Sequence, residues 1–208
     1  MLSLILYTLS ICSLAVLFLF TLRRLLFTST LLAPFPSFPP VPLFPVLLLI
    51  PARNESHTLH HLFDSLDLLD YPKQLLQIVL INDGSTDDTL TVMTQAVSSR
   101  NNWHILNLEK NVGKAQALNL ALQRYNFGEI VYIFDADHRP QKNCLRVAVS
   151  TFSDSKVAGV SGRTIPSNTL ASPSAYYSTI ESLVHQLITI RGKDILHLGP
   201  ALLGSNNG

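Results

Sequence analysis

Hydrophobic and polar positions fall into three successive regimes along the chain. The first is Leu2 to Leu22, twenty-one residues without a charge. A helix rising about 1.5 Å per residue crosses the roughly 30 Å hydrocarbon core of a bilayer in that length, so the run predicts one transmembrane helix. A cleaved signal peptide is the competing reading. The anchor is favoured, because no Lys or Arg precedes the run and it exceeds the roughly 7–15 apolar residues of a signal core. Leu25 to Ala33 stays apolar but is too short to span alone, and is either a continuation of the helix or an interfacial stretch. The second regime, Pro34 to Pro45, holds six prolines. They remove backbone donors and favour extended polyproline geometry, which predicts a semi-rigid spacer standing the rest of the chain off the membrane.

The third regime begins at Val46. Short, nearly continuous apolar runs at Val46 to Ile50, Gln77 to Ile81, His104 to Leu108, Ile130 to Phe134 and Val157 to Gly162 read as buried parallel strands. Helical periodicity fills the gaps between them. Leu59, Leu62, Phe63 and Leu66 form the apolar side of the first helix, and His57, His60 and His61 decorate its exposed face. Lys114 to Tyr125 predicts a second helix, with Ala115, Leu118, Ala121, Leu122 and Tyr125 on one face and Asn119, Gln123 and Arg124 opposite. Tyr176 to Ile190 is helical too. Glu181, His185 and Gln186 interrupt it, so it is predicted to pack against protein and not to span a bilayer. Strands joined by helices imply an α/β fold with a mostly parallel sheet and right-handed crossovers, whose ligand crevice lies at the carboxyl ends of the strands. The division expected is a transmembrane anchor at 1–24, a Pro-rich linker at 25–45 and an α/β domain at 46–208.

Charge narrows the functional classes. Fifteen Lys and Arg against fourteen Asp and Glu, scattered along 208 residues, give a net charge of +1. A nucleic-acid binder concentrates its basic residues on phosphates, so that class is discounted. Cys12 and Cys144 stand far apart without ligand spacing, which indicates neither a disulfide framework nor a structural zinc site. The three histidines at 57, 60 and 61 have helical metal-binding spacing, but no fourth ligand is evident. No GxGxxG follows a strand, which argues against a dinucleotide-binding dehydrogenase. Arg23 and Arg24 follow the apolar helix directly and nothing basic precedes it. The positive-inside bias then predicts a single-pass membrane protein with its amino terminus outside and its folded domain in the cytoplasm.

Candidate chemistry clusters just after the strands: Pro51-Ala52-Arg53-Asn54-Glu55 after the first, Asn82-Asp83-Gly84-Ser85 after the second, Asp135-Ala136-Asp137 after the fourth. Asp83-Gly84 suits a turn, and Ser85 with Asp88 has capping-box spacing, so an ordinary strand-to-helix turn is an adequate reading of that segment alone. The pair Asp135 and Asp137 carries more information. Alternation points both carboxylates the same way at the mouth of a buried strand, where they repel unless a cation compensates. Hard oxygen ligands suit Mg²⁺ or Mn²⁺ bridging a diphosphate, the other reading being a solvated acidic loop that caps the next helix. His138 either contacts phosphate or is a solvated loop residue.

Taken in order and spacing, IPARNE at 50–55, INDGSTDDT at 81–89, NVGKAQALNLAL at 111–122 and IFDADHRP at 133–140 resemble the donor-site motifs of glycosyltransferase family 2. The similarity is greatest to the membrane synthases of the poly-N-acetylglucosamine, cellulose, chitin and hyaluronan type, and GSNNG at 204–208 is a looser match to their acceptor-side segment. The resemblance implies a GT-A fold and inverting transfer of a sugar from a UDP-sugar donor to a glycan acceptor, assisted by Mg²⁺ or Mn²⁺. It implies that Asp83 contacts the uracil or ribose, with Ala52 and Glu55 lining the nucleotide pocket, and that Lys114 approaches the base or diphosphate. Asp135 would face the ribose and the metal, and Asp137 would be the principal metal ligand. Asn82 stands where the commoner pattern has a first aspartate.

The family's general base, an aspartate in an ED or TED motif, and its QxxRW segment are not found up to Gly208. Glu181 and Asp194 are the only acids after Asp154, and neither stands in such a motif. The expectation is therefore a donor-binding half whose acceptor half is missing. The alternative is a catalytically inactive, membrane-tethered nucleotide-sugar-binding remnant or partner module.

Overall fold

Four of the five apolar runs pair into one parallel sheet in the computed structural model, which describes residues 1–34, 43–165 and 172–198. The strands are β1 (Val46–Ala52), β2 (Leu76–Asp83), β3 (Trp103–Leu108) and β4 (Ile130–Ile133), in spatial order β3-β2-β1-β4. Every neighbouring pair is parallel, with Val46 opposite both Leu76 and Ile130 and Ile78 opposite Trp103. β1 is central and has no polar side chain. Its first five residues are at most 1% exposed, as expected of a strand covered on both faces.

The two-residue period of β1 sorts its side chains between two cores. Val46, Leu48 and Ile50 join a large cluster with Leu59, Leu62, Phe63 and Leu66 of α2 (Leu59–Asp67), Met93 of α3 (Thr89–Ser98) and Leu145 and Val149 of α5 (Cys144–Thr151). Leu47 and Leu49 face the other way, onto Ala117 and Ala121 of α4 (Lys114–Arg124). Three helices thus cover one face and a single alanine-bearing helix covers the other. The predicted apolar side of α2 is buried and His57, His60 and His61 are exposed, as expected.

Three local expectations are corrected. Residues 157–162 form no strand: of the expected run only Val160 packs on the core, and Gly159 and Gly162 supply no side chain to hold a ladder. Of the expected face of α4, Ala121 is buried and Leu118 and Tyr125 pack beside it, but Ala117 is the second buried residue and Ala115 and Leu122 are exposed. Ser85 is not a cap, because α3 starts at Thr89 with Asp88 as N-cap, and the Thr89 amide donates to Asp87 Oδ1 at 3.0 Å.

The described residues form two compact units, one comprising 43–162 and the other the N-terminal helix with the segments that follow residue 162. In the second unit α1 (Leu2–Ser29) continues without a break past Arg24 and ends in a 3₁₀ turn, Thr30–Leu32. The apolar stretch Leu25 to Ala33 is therefore largely a continuation of the helix. The helix is long and apolar enough to cross a membrane, with a mean hydropathy of 2.3 and no burial over its most apolar window. The predicted helix at Tyr176 to Ile190 is realised as α6 (Pro173–Val184), a π-helical stretch (His185–Ile190) and α7 (Arg191–Ile195). Most of the Pro-rich segment (35–42) and the GSNNG sequence lie outside the described residues.

Candidate functional site

A parallel sheet delivers all its strands' carboxyl ends to one edge, and there the loops after β1, β2, β3 and β4 are joined by side chains. Asp83, the last residue of β2, is buried. Its Oδ1 accepts a hydrogen bond from the Val112 amide at 2.8 Å and its Oδ2 one from the Gly113 amide at 3.0 Å. That carboxylate fixes the loop leading into α4. Gly113 is the N-cap at φ +88°, a left-handed value suited to glycine, and Lys114 is the first helical residue.

From there the Lys114 ammonium forms an ion pair with Asp135 Oδ1 in the loop after β4. The Asp135 amide donates to His138 Nδ1 at 3.3 Å, and His138 Nε2 lies 3.9 Å from Asp135 Oδ2. Asp135, Asp137 and His138 each place a potential ligand atom within 4.8 Å of the others, with Asp135 and His138 half-buried and Asp137 exposed. Two carboxylates and an imidazole at that spacing suit a small divalent cation. Of the two sequence readings of His138, the structure places it in the acidic group.

The loop after β1 is stitched to the loop after β2. Asn54, at φ +57°, accepts from the Thr86 amide at 2.8 Å through Oδ1, and its own amide donates to Ser85 Oγ at 3.1 Å. The Glu55 amide donates to Thr89 Oγ1 at 2.8 Å and the Ser56 amide to Asp87 Oδ2 at 3.3 Å. The hydroxyl of Thr89 donates to Asp87, which holds that carboxyl well below the usual carboxylate range. The Glu55 carboxylate is half-buried and accepts from the Thr58 hydroxyl. Ala52, at the end of β1, is buried.

Asn82 uses both ends of its amide. Nδ2 donates to Asn107 Oδ1 at 2.7 Å and Oδ1 accepts from the Ser85 amide at 3.1 Å, two roles that an ionised aspartate cannot fill together. Gly84, at φ +63°, lies against the β3–α4 loop so closely that a Cβ would stand 2.4 Å from the Asn111 nitrogen.

The arrangement brings Asp83, Lys114, Asp135 and Asp137 to one group of contiguous loops, with Ala52 and Glu55 on the adjoining β1 loop. Sequence reasoning missed the Asn54, Ser85 and Asp87 stitch and the fixing of residues 112 and 113 by Asp83. The density of short hydrogen-bonding residues in Ser85-Thr86-Asp87-Asp88-Thr89 was the available signal. Glu181 and Asp194 are exposed and belong to the other unit.

Similarity to known proteins extends over much of the chain. "Probable glycosyltransferase YdaM" of Bacillus subtilis is 28% identical over 153 residues, covering 71% of this chain and 36% of the relative. The poly-beta-1,6-N-acetyl-D-glucosamine synthase of Staphylococcus aureus (strain COL) is 29% identical over 118 residues, 56% of this chain and 28% of the relative. The beta-monoglucosyldiacylglycerol synthase of Nostoc is 31% identical over 120 residues, 57% and 25% of the two chains. The chain thus spans only about a quarter to a third of the length of these relatives. Among solved structures, the mannosyltransferase PcManGT from Pyrobaculum calidifontis, in complex with GDP-Man and Mn²⁺, superposes with a TM-score of 0.63 at 27% identity, over 77% of this chain and 45% of that one. The Glycosyl transferase family 2 profile matches residues 48–196. On that match, and on a GT-A-type parallel sheet with its polar loops at one edge, the chain belongs to glycosyl transferase family 2.

Proposed function

We propose that this edge binds a UDP-sugar with Mg²⁺ or Mn²⁺, as the donor site of a glycosyltransferase that transfers the sugar to a glycan acceptor with inversion. The observation that carries the reading is the Asp135, Asp137 and His138 group facing the Lys114 ammonium. Its hard oxygen donors and single imidazole fit a divalent ion. Asp137, with Asp135, would hold that ion, and Asp135-Ala136-Asp137 is then the DxD motif of the family. When bound, the ion supplies Lewis-acid neutralisation of the leaving diphosphate. The solved neighbour whose structure contains GDP-Man and Mn²⁺ supports a nucleotide-diphosphate sugar and a divalent ion of this kind.

The chain's own residues do the positioning. Asp83 holds the Val112 and Gly113 amides and keeps lone pairs for the uracil or ribose, since an ionised carboxylate accepts at about four sites. Lys114 stands at the start of α4, where its charge and the helix amides together favour phosphate. Ala52 and Glu55 line the nucleotide side, the Asn54–Ser85 and Ser56–Asp87 bonds keeping their loop in register with Asp83. UDP-N-acetylglucosamine or UDP-glucose is the proposed donor, in line with the named activities of the relatives. α1 is proposed to anchor the chain as a single pass, with Arg23 and Arg24 on the cytoplasmic side.

The test is calorimetric titration of UDP into the full chain in nanodiscs, with and without Mn²⁺, beside Asp137→Ala. Metal-dependent binding that weakens at least about tenfold in the variant, or about 1.4 kcal/mol, is expected. A folded protein that binds no UDP in either condition would overturn the donor-site reading and leave a tethered partner module.

A further inference from the structure

The unit that contains α1 carries an apolar surface the donor site does not use. Along α6, Tyr176, Tyr177, Ile180 and Val184 recur at helical spacing and are all exposed, Tyr177 at 68%. Thr179, on the other side of the helix, is buried. Ile195, the last residue of α7, and Leu198 after it are further exposed apolar side chains of the same unit.

What covers this surface is indicated by where the segment docks. Among the described side chains of residues 1–34, only Phe27 and Thr30 are buried. Gly192 of α7 sits against Phe27, where a Cβ would come within 3.1 Å of the ring, and Arg191 donates to the Ala33 carbonyl. Phe27 is one helical turn beyond Arg23, whose guanidinium lies over the Phe20 and Phe27 rings at 5.4 and 5.9 Å. If Leu2 to Leu22 fills the hydrocarbon, Phe27 stands about 6 Å past the level of Arg23, at headgroup depth. The uncharged run before Arg23 is exposed in α1, so the unit that carries α6 and α7 already presents an apolar surface that requires lipid. Tyrosines are the residues favoured at such a boundary. Charge agrees, because the described residues of this unit carry Arg23, Arg24, Arg163, Arg191 and Lys193 against only Glu181 and Asp194, a balance that favours anionic headgroups.

We propose that α6, the π-helical stretch and α7 form an interfacial membrane-binding surface, with Tyr176, Tyr177, Ile180, Val184, Ile195 and Leu198 inserted at the boundary between headgroups and acyl chains beside α1. The proposal rests on the reading of α1 as a membrane span and is independent of the donor site.

The experiment uses the full chain in liposomes of phosphatidylcholine with phosphatidylglycerol, with Cys144→Ala in every protein. An environment-sensitive fluorophore is attached at Cys12 in one protein. In two others Cys12→Ala is combined with Tyr177→Cys or with Leu198→Cys, two sites that guard against one disturbed variant. The result expected is loss of fluorescence at 177 and 198 to nitroxide carried near the top of the acyl chains, and protection from aqueous iodide. Iodide quenching at 177 and 198 with Cys12 still shielded from iodide overturns the surface and leaves the span standing. Iodide quenching at Cys12 as well removes the span and the proposal together. Protection from both quenchers with self-quenching between labelled chains overturns lipid as the occupant in favour of a second copy.

Discussion

At the scale of the residue, Asp83 is the side chain on which the site's geometry turns. It lies at the end of a buried strand and uses both oxygens on consecutive amides of a neighbouring loop. Removing it leaves two amides unpaired, each worth roughly 1–3 kcal/mol when buried. Asp83→Ala is therefore expected to weaken UDP binding by tenfold or more and to lower the midpoint of urea unfolding, whereas Asp137→Ala, at an exposed position, lowers affinity alone. Equal stability of the two variants would show that the carboxylate of Asp83 holds nothing. Asp135 and Asp137 were legible in the sequence because two acids directly after a buried apolar run conflict with their surroundings, and the conflict is local. Asn54, Ser85 and Asp87 were not legible. Their bonds join residues 31 apart in the chain and exist only because β1 and β2 are neighbours in the sheet. Asn82 read as a departure from a commoner aspartate, and its purpose becomes visible only with Asn107 beside it.

At the scale of the element, the first four strands were legible because each is a run of apolar residues too long for a turn and too short for a spanning helix. The fifth was not: Val157 to Gly162 has a strand's outline, but two glycines leave few side chains to bury. In α4 the period was read correctly and the face in part: Leu118, Ala121 and Tyr125 pack on the core as expected, whereas Ala117 replaces Ala115 and Leu122. Alanines at 115, 117 and 121 and leucines at 118, 120 and 122 satisfy more than one stripe, and only the close approach of the helix to Leu47 and Leu49 selects Ala117 and Ala121. The turn after β2 carries a sharper expectation. Gly84 combines a left-handed φ with a backbone neighbour that cannot withdraw, so Gly84→Ala adds strain of roughly 1–3 kcal/mol. A fall of several degrees in the thermal midpoint, with a parallel loss of UDP affinity as the 109–113 loop is displaced, is the expected result. An unchanged midpoint would mean that the two loops are not in contact.

At the scale of the whole molecule, the chain combines a sheet unit with its own pair of cores and a helical unit built on an apolar N-terminal helix. The helix was legible from the absence of charge alone. The docking of α7 on Phe27 was not, because a glycine against an aromatic ring leaves no periodic signature. The central position of β1 has a consequence for how such a molecule can change. β1 is the ruler for both of its neighbours, in step with β2 over seven residues and with β4 over four. Inserting one residue between Leu48 and Leu49 would send Leu49 and Ile50 to the wrong cores and slide the Asn54 loop about 3.3 Å against the others. Cooperative unfolding and UDP binding should then be lost together, whereas the same insertion at the exposed Asn101, ahead of β3, should spare both. Substitutions can therefore accumulate in the loops of this edge and retune what is held there, while the length of one seven-residue strand is effectively closed to variation.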